Sequence, residues 1–105
     1  MSIKNLESHI RNYEIATKHL AGDVTGDAYE EMVAGLLSRD SLEGQPGLSG
    51  RLRSLDAAFA EALSTTSQRW LLAVMRISGS FADAPWWRSI LRAATEEPAE
   101  LQKAG

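Results

Sequence analysis

The sequence predicts an all-α protein, a single small bundle of four to five helices, and three observations carry that prediction. Apolar residues recur at helical spacing near the amino terminus, at Ile3, Leu6, Ile10, Tyr13 and Leu20. Residues 66–77, Thr-Ser-Gln-Arg-Trp-Leu-Leu-Ala-Val-Met-Arg-Ile, are apolar nearly all the way round a helix. Clusters of glycine, proline and serine separate the periodic stretches. At 105 residues the chain is one domain's worth, long enough to bury roughly 65% of its unfolded surface. The helices are expected over about 3–20, 27–38, 50–64, 66–77 and 84–94, within a bundle domain of residues 1–95 followed by a short polar tail, 96–105.

The first helix is the firmest element. Its stripe advances in steps of three and four, with Thr17 as the one polar member, and Glu7 to Arg11 and Glu14 to Lys18 form i,i+4 pairs away from it. Gly22 terminates it and Gly26 punctuates the linker. Asp27 caps a second helix, with Glu30 reaching back and Tyr29, Met32, Val33, Leu36 and Leu37 as its apolar face. Gly35 inside that face costs about 1 kcal/mol relative to Ala. Close approach of another helix is the expected compensation.

Residues 40–50 hold three glycines and a proline and read as a loop, long for a bundle connection and therefore the place where irregular structure would be kept for a purpose. Leu48, Leu52, Leu55, Phe59, Ala62 and Leu63 mark the third helix. Ser64-Thr-Thr-Ser67 then interrupts it; Thr65 and Gln68 have capping-box spacing, which predicts a break, the alternative being one long helix. The helix that follows is too widely apolar to hide behind one stripe, so it is expected at the centre of the bundle. Residues 78–84 form the next loop, with Phe81 buried, and Asp83 and Pro85 open a fifth helix whose face is Trp86, Trp87, Ile90, Leu91 and Ala94.

With 44% hydrophobic and 24% charged residues the composition is that of a globular domain. No apolar run approaches the ~18 residues of a membrane span. The first nine residues lack the continuous apolar stretch of a secretory signal, and a cytoplasmic protein with no membrane association is expected. Zero cysteines exclude disulfides, thiolate catalysis and thiolate metal sites. The net charge of −3 is unevenly spread: residues 1–50 carry four basic and eight acidic side chains, whereas residues 51–95 carry six arginines against Asp56, Glu61 and Asp83. Either the two halves neutralise each other within the fold or across a dimer, or the arginines present a face to an acidic partner.

Motifs for chemistry are missing. His9 and His19 stand ten residues apart, about 15 Å along a helix and roughly 80° around it, so they cannot share an ion. Neither lies in Glu-x-x-His or His-Glu-x-x-His spacing. Gly44, Gly47 and Gly50 follow no strand and precede no Gly-Lys-Ser/Thr, and Gly47-Leu-Ser-Gly50 lacks nucleophile-elbow spacing. Adjacent Glu30 and Glu31 point about 100° apart and are not an acid–base pair. The chain is therefore expected to have no catalytic, metal or cofactor-binding residues and to need no cofactor.

What remains is association. Trp86 and Trp87 diverge by about 100° on a helix, so one indole points outward beside Arg88 and Arg92 unless both line the core with Trp70. Arg69 and Arg76 share one face of the fourth helix, with Ala73 between them. Trp86, Trp87, Arg88, Arg92, Arg69 and Arg76 are the candidate partner-binding residues. The first helix is a further candidate surface, because its narrow stripe resembles a coiled-coil seam about two and a half heptads long. The expected function is a small cytoplasmic interaction module, an adaptor, assembly factor or regulatory subunit, whose partner is another protein with an acidic surface or a second copy forming a homodimer. The alternative is a nucleic-acid-associated regulator using an arginine-bearing face with Arg51, Arg53, Arg88 and Arg92, although a pI near 5.3 opposes it. An enzyme or ligand carrier with a pocket between helices is a third class.

Overall fold

The computed structural model describes the backbone of residues 3–20, 22 and 26–104 and the side chains of residues 4–20, 22 and 27–95. Five α-helices, α1 (Ile3–His19), α2 (Gly26–Leu42), α3 (Ser49–Thr65), α4 (Gln68–Ile77) and α5 (Pro85–Ala104), build the bundle, with a 3₁₀ turn at Ser78–Phe81 and no strand among the described residues. The all-α expectation holds. The helices associate as two principal pairs, α1 against α2 and α3 against α5, with α1 also touching α3.

The α1–α2 hairpin is antiparallel. Its register is fixed where His9 Nδ1 and the Asn12 amide both reach Ser38 Oγ, at 2.9 and 3.1 Å, and where His19 Nε2 meets Glu31 Oε1 at 2.9 Å. Tyr13, Ala16 and Leu20 face inward against Ala28, Met32 and Leu36. Gly35 lies at the crossing, and a Cβ built on it would stand 2.4 Å from Ala16 Cβ and 2.8 Å from the Asn12 carbonyl oxygen. The missing side chain is what lets the helices touch. Gly35→Ala is expected to lose stability toward the upper end of about 1–3 kcal/mol, because neither obstacle is the end of a flexible side chain. Urea unfolding would measure this, with Ala16→Gly recovering only part of the loss since the carbonyl contact persists.

Helix boundaries differ from expectation in informative ways. Asp27 lies inside the first turn of α2 rather than at its cap, where its charge still favours the helix amino end; residues 23–25 lie outside the described residues. α2 runs to Leu42 rather than to 38, since Leu42 is fully buried with Ile10 and Leu52 in a small second core. The remaining loop turns on Gly44 and Gly47, with φ of 81° and 79°, values that favour residues without a Cβ. The break after α3 is real, but its cap is Ser67, whose hydroxyl accepts from the Trp70 amide at 3.3 Å. Thr65 is not free for that role, because its hydroxyl donates to the Glu61 and Ala62 carbonyls. The backbone of α5 passes Thr95 and Pro98, where an end and a polar tail are expected, because Glu, Ala, Leu, Gln and Lys in residues 96–104 are strong helix formers. Side chains of that stretch lie outside the described residues.

The position of α4 is the main correction. It is peripheral, not central: only Trp70 and Val74 are buried, Ala73 and Ile77 are half-buried, and Leu71, Leu72 and Met75 are 40%, 62% and 45% exposed. The middle of the bundle is filled by Tyr13, Phe59 and Trp87, with Phe59 stacked on Tyr13 at 5.4 Å and edge-on to Trp87 at 6.3 Å. With α3 packed directly on α5, a ten-residue helix finds cover on one side only. That side is pinned by the Trp70 indole N–H, which donates to the Gly22 carbonyl at 2.7 Å, and by the Thr66 hydroxyl, which donates to the Leu20 carbonyl.

Candidate functional site

Two places in the fold collect functional side chains. The first is a polar network where α1, α2 and α3 meet. Arg39, on the inward stripe of α2 and only 3% exposed, donates from Nε and Nη2 to both oxygens of Asp56 at 2.7 and 2.8 Å. Its Nη1 donates to Glu43 Oε2 at 2.7 Å, and its guanidinium lies 4.9 Å from the centre of the Trp86 ring. Tyr13 donates to Asp56 Oδ1 at 2.7 Å, and the Trp86 indole N–H donates to Asp40 Oδ1 at 3.0 Å. Arg39, Glu43, Gln45, Ser49, Arg53, Asp56, Trp86 and Ser89 line an open cleft of about 510 Å³ above this network, partly built by the 43–48 loop.

The electrostatics are those of a closed circuit. Burial raises the Tyr13 phenol well above its ordinary range, Asp56 raises it further through charge and hydrogen bond, and Arg39 offsets part of this. Burial works to lower the Arg39 guanidinium, but its bonds to Asp56 and Glu43 outweigh that and raise it. Among the described residues no buried side-chain nitrogen or oxygen lacks a partner. The cleft floor thus has its charges satisfied from within, and the network is a clasp joining three helices. A phenol whose folded-state pKa is raised keeps its proton after the unfolded phenol, with pKa near 10, has lost it. The unfolded state then binds fewer protons, so stability falls above pH 10 by up to about 1.4 kcal/mol per pH unit from this group. Urea midpoints between pH 9 and 11 should fall more steeply for the wild type than for Tyr13→Phe.

The second place is the outer face of α4. Arg69, Leu72, Ala73 and Arg76 follow helical i, i+3, i+4, i+7 spacing and, with Tyr29 of α2 as the opposite wall, line a groove of about 320 Å³. Leu71 and Met75 extend the apolar surface beside it. Arg69 and Arg76 are the only charged residues on α4. Neither makes an ion pair with a described residue, and the same is true of Arg51, Arg53, Arg88 and Arg92. Among the described residues, then, no arginine of the basic half is ion-paired to a carboxylate of the acidic half. The one ion pair between them, Arg39 to Asp56, runs the opposite way, basic residue from the acidic half.

The expected partner-binding residues divide accordingly. Trp86 and Trp87 are 4% and 1% exposed, so neither indole reaches the surface; the wide inward face of α5 accommodates both, with Phe81 5.5 Å from Trp86. Arg88 and Arg92 are exposed and line a separate shallow groove with Asp83, Pro85 and Ser89. Arg69 and Arg76 are exposed and flank the apolar strip. Sequence reasoning missed Arg39, Asp56 and Tyr13 as a unit, although a signal exists: Arg39 continues the Met32, Gly35, Leu36 stripe toward Leu42, and Asp56 lies between Leu52 and Phe59 on the stripe of α3. A charge on each of two apolar stripes is the mark of a buried pair. His9 and His19 bridge helices through Ser38 and Glu31, and among the described residues no group of three or more His, Asp or Glu is placed to hold a metal ion. No described helix is long and apolar enough to cross a membrane. Comparison with models of known protein families, with curated proteins and with solved structures finds no match in any of the three, so the function is argued from these residues.

Proposed function

We propose that this chain is a cytoplasmic protein-interaction module, an adaptor or regulatory subunit without catalytic activity of its own, and that it docks its partner on the outer face of α4. The observation that carries this reading is the exposure of Leu71, Leu72 and Met75, neighbours at helical spacing, on a helix whose other face is buried. Single exposed leucines are ordinary, but a contiguous apolar patch rimmed by polar groups marks an interaction surface. Arginine and tyrosine at its edge, Arg69, Arg76 and Tyr29, belong to the residue types enriched at binding hot spots. The alternative of a nucleic-acid-associated regulator has Arg88 and Arg92 in its favour, but Asp83 shares their groove and would face the same phosphates.

Leu72→Asp tests the reading. Leu72 is the most exposed of the three, so the substitution is expected to leave stability within about 0.5 kcal/mol of the wild type. Crosslinking in the source cells should then recover a partner with the wild type and with Arg88→Glu/Arg92→Glu, and lose it with Leu72→Asp. Identical partners for all three proteins would remove α4 as the docking face. Loss confined to the α5 arginine variant, with salt-sensitive binding to nucleic acid, would favour the alternative.

A further inference from the structure

We infer that the occupant of the α4 groove is an amphipathic helix of another protein, with carboxylates flanking its apolar stripe about two turns apart. This rests on the docking reading above and specifies its partner. Arg69 and Arg76 are seven residues apart on one face of α4, which places them about 10.5 Å apart along the axis. Between them the groove is apolar, floored by Ala73 and bounded by Leu72 and Tyr29. A ligand that fills it buries apolar side chains in the middle and meets a guanidinium at each end. Neither guanidinium has an ion-pair partner among the described residues, so the ligand's carboxylates would not compete with any of those. The length between the arginines matches an incoming helix presenting side chains at i, i+3 or i+4, and i+7, the usual way a helix is read by a groove. Strand addition has no template, because the described residues contain no sheet edge.

A second copy of the chain fits this face poorly. Two α4 helices meeting antiparallel about a two-fold axis near Leu72 and Ala73 would set Arg69 of each copy against Arg76 of the other. Four arginines would then gather around one apolar contact, with no carboxylate on either α4 to separate them. The same arrangement of charge that repels a copy selects an acidic partner.

The test uses the full chain and three stapled helical peptides of about 18 residues, labelled for fluorescence anisotropy; the staple is needed because free helices of this length are marginal in water. All three carry the same leucine stripe, with flanking positions seven apart occupied by Glu, Gln or Lys. Exchanging two attractive contacts for two repulsive ones, each of the size of an exposed ion pair, predicts that the Glu helix binds about ten-fold more tightly than the Lys helix. Added salt should narrow the gap, and Arg69→Glu/Arg76→Glu should reverse the order. Equal binding of the three helices, an order that survives charge reversal, or no binding by any of them overturns the inference. So does a dimer in sedimentation that Leu72→Asp dissolves, since the occupant would then be a second copy. Failure of the docking reading is seen separately: if Leu72→Asp keeps every crosslinked partner, α4 is not the interface at all, whereas lost partners with indifferent peptides remove only the acidic-helix assignment.

Discussion

Asp56→Ala is expected to lower the stability of the fold by about 3 kcal/mol, the lower end of the range for leaving one member of a buried ion pair without its partner, because Asp56 is itself 21% exposed at the cleft. Arg39 is 3% exposed and gives two of its N–H groups to this one carboxylate. Glu43 would remain bound to Nη1, but it sits half-exposed at the end of α2 and reaches only one edge of the guanidinium. The Tyr13 hydroxyl, fully buried, would lose its acceptor in the same step. Set against a typical total of about 5–15 kcal/mol, the loss is large enough to unfold part of the population. The converse substitution separates net worth from orphaning: Tyr13→Phe/Arg39→Met/Asp56→Leu replaces both charges with apolar groups and removes the hydroxyl that Asp56 accepts from, and should recover much of the loss, because such replacements are often neutral or stabilising. Urea denaturation of the three proteins measures both. A single variant within 1 kcal/mol of the wild type would show that water reaches the guanidinium and that the clasp is not a closed one.

Trp86→Ala should be comparably severe, about 3–5 kcal/mol. Its ring is packed edge-on against Trp87 at 6.0 Å and near Phe81 at 5.5 Å, its N–H holds Asp40, and its face carries the Arg39 guanidinium. A loss of this size lowers the melting temperature of a domain near 100 residues by roughly 4–8 °C for each kcal/mol. Trp86→Phe keeps an aromatic face under Arg39 and loses the N–H bond to exposed Asp40, so a loss of about 1 kcal/mol is expected from that bond. Since Trp86 touches the residue that Asp56 holds, the Trp86→Ala and Asp56→Ala effects should not add. If Trp86→Ala instead left the melting temperature in place and abolished association, the indole would belong to a surface and the packing of α5 would be other than described.

The parts of this fold legible in the sequence are those set by local pattern. The α1 stripe from Leu6 to Leu20 has one period and one face, the Thr66–Ser67 break has its polar run, and Gly35 signals a close crossing because an interior glycine needs a reason. Harder to read was anything that depends on which helix stands beside which. The apolar richness of Trp70 to Ile77 measures how much surface wants cover, not whether the same chain supplies it, so a peripheral helix read as a central one. Arg39 is hidden from local pattern because the apolar face of α2 reads as ending at 38, one residue before the charge that joins it to α3. Of the candidate site, Arg69 and Arg76 were visible from their spacing alone. Tyr29, on a different helix, was not.

Tyr29 and Leu72 come from opposite halves of the chain, and the walls they form are held together by the shared core of Ala28, Met32, Trp70 and Val74 and by the bonds that tie Thr66 to Leu20 and Trp70 to Gly22, spanning 46 and 48 residues. Such distant closures carry a loop-closure cost that the contacts of each helix pair within itself do not. The groove therefore needs both halves of the chain in place: with either displaced, the leucines of α4 would lose the opposing wall, and a ligand that requires both sides would bind only the assembled fold.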